Sequence, residues 1–364
     1  MLFFLAEMTA FLPILPLYIT GRWGATAPVG WIVGSFAVGV LLARPLVGWA
    51  LDRWGRKPLL WLGLVVALAV QPLYAAVPDW GSLMAVRFLH GLSLACFATA
   101  SHTLVADLSP PQERVAALGY LGMTNTLGFG LGPALASIWY RQGGFDLAVH
   151  GLTFFLLLAA LFVLWVPWIG IPSATAQERQ GGGWRYLGLY PVREATFFVF
   201  IISATHGAVT TFLPLWLPRS DLFYLIYALG AVLVRFSLGR WGQGIPAYRG
   251  AAVALISSGI GVMGLAAWPE AVILWAFLYG VGFGLLFPVM SALVSLSTPA
   301  PQRGRVYGLF LTGVDLGVAV GSTGLEAALA WLPLGTLFYA TGGLAIGQGL
   351  FAFRRLQTPM PVLH

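Results

Sequence analysis

Glu7 is the only acid well inside the first apolar run of this sequence. Burial opposes the charged form of a carboxyl, so an acid in such a place can take up and release a proton. If Met1 lies at a membrane surface, the same residue is an interfacial charge about 9 Å in, at 1.5 Å per residue. His206 and Asp315 are comparable, each about eleven residues into an apolar run. A histidine there can titrate near neutral pH, while Asp315 can instead hold two halves of a protein together. Arg87 also lies within an apolar run. An arginine in lipid costs about 2.5–3.5 kcal/mol by insertion scales and normally has a partner, unless it reaches back to the interface. His90 is one helical turn from it and shares its face, where it either takes part in that chemistry or simply packs. The chemistry these residues offer is proton transfer.

No other chemistry is assembled. The five histidines are scattered, and there is no His-Glu-x-x-His, P-loop, Gly-x-Ser-x-Gly or cysteine pair. The expectation is therefore no enzyme, no cofactor and no metal. Cys96 lies in an apolar run and reads as a small buried hydrophobe. Of 364 residues, 59% are hydrophobic and only 9% charged, against about 25% charged in soluble domains. Lipid must be the solvent for most of this surface. The net charge of +7 forms no patch or arm for nucleic acid; it is spread as short clusters between apolar runs. The chain enters apolar sequence at Met1, with no signal peptide ahead of the first span, so the start itself is open to question.

Twelve runs approach the roughly 20 residues that a spanning helix needs: about 1–20, 27–51, 58–77, 82–107, 115–140, 149–170, 195–218, 221–241, 250–268, 270–296, 305–330 and 333–354. If the 52–57 turn is cytoplasmic and the loops alternate, that side holds Arg53, Arg56, Lys57, Arg114, Arg179, Arg185, Arg193, Arg240, Arg249, Arg303, Arg305, Arg354 and Arg355. The opposite side holds Arg22, Arg141 and Arg219. Thirteen basic residues against three obey the positive-inside rule and put both termini in the cytoplasm. Residues 171–194 form a polar, glycine-rich linker with an aromatic stretch, Trp184 to Tyr190, suited to the interface. The expected division is a six-helix bundle over 1–170, a cytoplasmic linker over 171–194, and a second bundle over 195–364. The halves look repeated. Leu15-Pro16-Leu17 answers to Leu213-Pro214-Leu215, Arg44-x-x-x-Gly48 to Arg235-x-x-x-Gly239, and Pro111-Gln112 to Pro301-Gln302, at offsets of 198, 191 and 190.

The most specific stretch is Gly48-Trp49-Ala50-Leu51-Asp52-Arg53-Trp54-Gly55-Arg56-Lys57. It packs four charges into six positions, and two glycines bracket an expected sharp turn. It resembles the signature loop between helices two and three of the major facilitator superfamily, Gly-x-Leu/Ala-x-Asp-Arg-x-Gly-Arg-Arg/Lys. The resemblance implies an all-α membrane protein of twelve transmembrane helices in two six-helix bundles. It also implies a conformational latch: Asp52 facing the start of helix eleven near Gly304 and Arg305, where free N–H groups favour an anion, and Arg53 or Arg56 reaching Asp107. The plainer alternative is that these charges only set topology. The second half carries a degraded copy, Arg240-Trp241-Gly242-Gln243-Gly244, without the acid.

Leu83-x-x-x-Arg87-x-x-His90-Gly91 resembles a second motif of that family, whose arginine is linked to proton coupling. Gly128-x-Gly130-x-Gly132-Pro133 resembles its antiporter motif on helix five, with Ala136 and Ser137 replacing the last two glycines; close helix packing explains the same pattern. In the family, helix one lines the central cavity and often carries a protonatable acid, the slot of Glu7; helix seven, with His206, lines it too. Trp275, Tyr279, Phe283 and Phe287 recur every fourth residue on helix ten. Such a stripe is usually packing, but in the family it borders the cavity, where aromatics suit apolar or cationic substrates. The resemblance, closest to the twelve-helix drug/proton antiporters, implies a proton-coupled exporter of a small, rather apolar molecule, acting as a monomer in the bilayer of a prokaryotic cytoplasmic membrane. A proton-driven importer of a small metabolite or sugar is the alternative on the same fold, and a non-transporting receptor or scaffold is a further one.

Overall fold

A computed structural model describes residues 1–24, 26–110, 114–168, 190–218, 220–241, 246–298, 303–329 and 331–355. Every regular element among them is helical. In chain order these are α1 (Leu2–Trp23), α2 (Val29–Trp54), α3 (Arg56–Ala76), α4 (Trp80–Leu108), α5 (Arg114–Leu164), α6 (Tyr190–Trp216), α7 (Ser220–Trp241), α8 (Ala247–Ala267), α9 (Val272–Leu296), α10 (Arg303–Ala319), a short α11 (Glu326–Leu329) and α12 (Leu334–Arg355). Eleven stretches of the described chain are long and apolar enough to cross a membrane. The seventh apolar run of the sequence is thus α6, and the tenth is α9. Most of the linker expected over 171–194 lies outside the described residues, as do Pro111-Gln112, Pro301-Gln302 and His364.

The helix boundaries follow local chemistry. Gly55 has φ 85°, a backbone that glycine alone adopts freely, and it alone separates α2 from α3. The expected two-glycine turn is thus shorter than it looked. Gly48 sits inside α2, so Asp52 and Arg53 belong to the last turn of α2, while Arg56 and Lys57 open α3. Asp79 caps α4, its side chain accepting the Ser82 N–H at 2.9 Å. That hydrogen bond to the anion holds the Asp79 carboxyl below its usual range. The expected break between the runs 115–140 and 149–170 is present but short. The α5 helix breaks only at Gly143 and Gly144, the latter with φ 73°, and then continues as a second limb. Beyond α10 the backbone widens into a π-turn, Val320–Gly324, before α11.

By internal packing the chain divides into two compact units. One takes Met1–Ser173 with Thr210–Leu225 and Ser322–Ala330, and the other takes Ala174–Val209, Ile226–Gly321 and Trp331–His364. The core of the first unit has two parts. One gathers Phe4, Met8, Leu59, Leu64, Phe97 and Leu156; the other gathers Phe11, Ile14, Ile32, Tyr74, Leu83 and Leu152. The core of the second is built on Phe198, Leu255, Leu286, Met290, Val306 and Phe310.

Inside each unit, helices meet backbone to backbone. A Cβ on Gly39 would fall 2.2 Å from the Phe88 carbonyl oxygen, and one on Gly91 would fall 2.1 Å from that of Phe36, so α2 and α4 touch through both glycines. In the second unit, Gly230 stands 2.8 Å by the same measure from the Phe277 oxygen and Gly280 stands 2.1 Å from that of Tyr227, between α7 and α9. The α1–α5 contact sets Gly128 against Leu2 and Gly132 against Ala6, at 3.1 and 2.0 Å. The α6–α10 contact sets Gly317 against Phe200 and Gly321 against Ala204, at 2.4 and 1.9 Å. Phe36 and Tyr227 are separated by the 191 residues that separate Arg44 and Arg235, and Ala6 and Ala204 by the 198 of the Leu-Pro-Leu pair. The internal repeat is therefore a repeat of helix spacing.

Candidate functional site

Glu7 faces inward from α1 and is wholly enclosed within the first unit, at 0% exposure. One turn before it, Phe4 stacks on Phe97 of α4 at 3.9 Å between ring centroids; one turn after it, Phe11 stacks on Tyr74 of α3 at 4.3 Å. Between these two aromatic lids lies a connected polar cluster. The Gln71 amide donates to Glu7 Oε1. His90 Nε2 lies 3.3 Å from Glu7 Oε1 and 3.4 Å from Oε2. On the far side of the imidazole, Nδ1 is 2.8 Å from the Tyr74 hydroxyl. Arg87 Nη1 donates to that same hydroxyl at 3.2 Å, and its guanidinium lies over the Phe36 ring at 4.5 Å. Gln71, Tyr74, Arg87 and His90 are all buried to 2% exposure or less.

The spacing of the elements explains why these groups meet. Arg87 and His90 are three apart on α4 and share a face, and Gln71 and Tyr74 are three apart on α3. The α2–α4 contact at Gly91 brings Phe36 onto the imidazole, where Phe36 and Phe11 both present T-shaped contacts, at 5.7 and 5.5 Å. The helix-five motif backs the cluster from the other side. Gly132 packs on the Ala6 carbonyl, next to Glu7, and Thr9 donates to the Gly128 carbonyl at 3.0 Å. Pro133 lies in the same helix. Arg87 does not reach toward an interface; it is turned inward and 2% exposed. The sequence pointed to Glu7, Arg87 and His90 but not to Gln71 or Tyr74. The available signal was Gln71, the one side-chain amide in the 58–77 run.

The other expected coupling and stripe residues belong to the second unit. His206 on α6 is in the second unit, its Nδ1 2.9 Å from the Tyr279 hydroxyl and its ring stacked on Phe283 at 4.4 Å. Asp315 is half-buried on α10. Of the helix-ten stripe, Tyr279 is fully buried against His206 and Tyr227. Trp275 lies against Gly264 of α8, and its indole donates to the Trp268 carbonyl at 3.0 Å. Phe283 and Phe287 are half-buried, with Phe287 beside Phe310.

In the signature turn, Arg56 Nε meets Asp107 Oδ2 at 2.6 Å, joining the start of α3 to the end of α4. Arg53 instead lies over the Trp49 ring at 5.2 Å. Lys57 donates to the carbonyls of Leu164 and Val166, at 3.3 and 2.6 Å, at the end of α5, where free carbonyls attract a cation. The side chains of Asp52, Gly304 and Arg305 lie outside what the structure describes. Two polar contacts of the first unit were not legible beforehand. Glu326 accepts the N–H groups of Gly30 and Trp31 at 2.9 and 3.0 Å, at the start of α2, and Arg141 pairs with Asp221 at 2.9 Å. In the second unit Glu194 is held by Tyr248 and by Arg355, the latter at 3.2 Å.

The family model of the Major Facilitator Superfamily matches residues 1–223 and 219–363. The staphylopine export protein of Staphylococcus aureus is 22% identical over 357 residues, covering 93% of this chain and 90% of that protein. The quinolone resistance protein NorA of S. aureus is 27% identical over 153 residues, 42% of this chain and 38% of NorA. Among solved structures, the peptide transporter POT in complex with sulfate matches with a TM-score of 0.75 at 15% identity, covering 98% of this chain and 92% of that one. The human organic anion transporter MFSD10 matches with a TM-score of 0.68 at 19% identity, covering 96% and 97%. A mutant of the nucleoside transporter NupG gives 0.75 at 14%, covering 98% of both. With a membrane-spanning helical chain matched by one family model over nearly its whole length, and an export protein among its relatives, this protein belongs to the Major Facilitator Superfamily and is an integral cytoplasmic-membrane transporter of small molecules, not an enzyme.

Proposed function

We propose that the chain is a proton-coupled exporter of a small, rather apolar molecule, and that Glu7 carries the coupling proton. The observation that carries this reading is the enclosure of a carboxyl between two aromatic stacks and within reach of Gln71 and His90. A carboxyl so placed exchanges its proton only when a path to water opens, which is what coupling requires. The staphylopine export protein among the relatives supports the outward direction. A peptide transporter and a nucleoside transporter share this fold, and on the same fold the second reading is proton-driven uptake of a small metabolite.

In this reading the chain crosses the membrane twelve times as a monomer, with α5 counted as two spans because it breaks at Gly143 and Gly144 into limbs that each approach the roughly 20 residues needed to cross a hydrocarbon core of about 30 Å. Both termini are cytoplasmic. The Gly48–Lys57 segment with Asp107 is the cytoplasmic latch, and Arg56–Asp107 is its visible half. His206 and Asp315 are secondary proton sites, and the Trp275–Phe287 stripe borders the substrate. The test is Glu7→Gln in proteoliposomes with an imposed pH gradient and a panel of apolar and polar compounds. Gradient-driven transport should vanish while substrate exchange persists. Unchanged pH dependence in the variant would move coupling away from Glu7.

A further inference from the structure

The geometry points to His90 as a positioning residue that presents a fixed Nε2–H to Glu7, its tautomer imposed by Arg87 through the Tyr74 hydroxyl. This rests on the reading of Glu7 as the proton carrier and adds to it the device that orients the carrier.

The assignment follows from counting hydrogens along the chain of contacts. A guanidinium can only donate, so the Tyr74 oxygen is the acceptor of Arg87 Nη1 at 3.2 Å. The single hydroxyl hydrogen of Tyr74 is then free to point at its other neighbour, His90 Nδ1, at 2.8 Å. An Nδ1 that accepts carries no hydrogen, and a neutral imidazole then has its hydrogen on Nε2. That atom is the one 3.3 Å from the Glu7 carboxylate. The opposite tautomer fails at both ends. It would set a bare Nε2 lone pair against a carboxylate and leave the Tyr74 hydrogen without its acceptor.

The cationic form of His90 fails on charge. While Glu7 is ionised its charge balances that of Arg87, so a second cation would then leave an uncompensated charge among residues exposed by 2% or less. The titratable and charged groups facing Glu7 are Tyr74 of α3 and Arg87 and His90 of α4. From α5, Gly128 and Gly132 pack against the α1 backbone on either side of Glu7. The imidazole plane is fixed by the edge contacts of Phe11 and Phe36, and Phe36 also carries the Arg87 guanidinium. The influence of Arg87 on Glu7 thus runs through three hydrogen bonds rather than through a direct ion pair.

The first measurement is the tautomer itself, on full-length protein labelled with ¹⁵N-histidine in lipid, with the His90 signals assigned by their loss in His90→Gln. The expected result, at the alkaline end of the transport pH profile where the carrier is ionised, is a neutral ring protonated on Nε2. A ring protonated on Nδ1, or a cationic ring, at that end overturns the proposal. The second is Tyr74→Phe, which keeps the ring stack with Phe11 and removes the relay together with the acceptor of Arg87 Nη1. Loss of the enforced donor leaves the Glu7 anion less supported, so its pH profile of transport should move toward alkaline pH by roughly one unit. An unmoved profile in a folded variant also overturns the proposal. His90→Gln, which can still present an N–H, should retain transport to within about threefold, and His90→Leu should lose on the order of tenfold; equal losses in the two would mean that the donor has no role. Failure of the underlying carrier reading shows elsewhere, as a wild-type pH profile in Glu7→Gln, and leaves the tautomer measurement standing.

Discussion

Gly132→Ala tests how the helix-five motif serves the buried cluster. A Cβ at this position would lie 2.0 Å from the Ala6 carbonyl oxygen and 2.7 Å from Thr9 Oγ1, whereas ordinary contact begins near 3.4 Å. The helices must therefore part by about 1.4 Å at Ala6, the difference between the first and last of those distances. Forcing a methyl into a packed contact costs about 1–3 kcal/mol, and loss of the Thr9–Gly128 hydrogen bond adds about 1 kcal/mol, for a total of roughly 2–4 kcal/mol. The same displacement acts on Glu7, one residue along. It either breaks the 3.3 Å contact with His90 or presses the carboxyl into it. Unfolding in mixed micelles, followed by tryptophan fluorescence, reads the stability; transport against pH reads the site. Gly122→Ala, in the same helix with nothing within 4 Å, is the control and should change stability by less than about 0.5 kcal/mol. If Gly132→Ala matches that control in both assays, close α1–α5 contact is not what the motif provides.

The Arg56–Asp107 pair should respond unequally. Asp107→Asn strands a guanidinium whose side chain is 9% exposed, while Arg56→Gln leaves a carboxylate that is 27% exposed. The first should cost about 1–3 kcal/mol and the second no more than about 1 kcal/mol in the same unfolding assay; equal costs would refute the burial argument. A tag in the 173–183 segment and one after His364 should both be reachable only from the cytoplasm, and labelling of either on intact cells would overturn the proposed orientation.

Much of this arrangement was legible because lipid imposes simple rules. Apolar runs of a set length became helices, and Gly55 became the turn it had to be. The lone polar residues were harder. Glu7, Arg87 and His90 stood out as charges or imidazoles in apolar runs, but their connection runs through Tyr74, and a tyrosine in such a run looks like core. The two runs 115–140 and 149–170 part within α5 as expected, but the backbone needs only Gly143 and Gly144 to turn, so the helical limbs run closer to the break than the apolar runs do. Glu326 could not have been placed, since nothing local marks the N–H groups some 296 residues away that it accepts. The glycine contacts were legible only in part. Gly128 and Gly132 belonged to a motif, but their counterparts Gly317 and Gly321 become visible only when a carbonyl is found opposite each of them.

The glycine-to-carbonyl contacts act as keyed joints. Sliding α2 along α4 by one turn, about 5.4 Å, would carry Gly39 and Gly91 away from the Phe88 and Phe36 carbonyls and drive side chains into the vacated line. The α7–α9 pair is keyed in the same way by Gly230 and Gly280. Shear, one of the two common ways in which packed helices move, is thus closed to these pairs, and hinging is left to segments without such keys, such as the Gly143–Gly144 break. Since α4 carries Arg87 and His90, and α1 is keyed to α5 beside Glu7, the distances within the polar cluster are set by the same joints. A transport cycle built on this frame changes what can reach Glu7 while leaving the company Glu7 keeps unchanged.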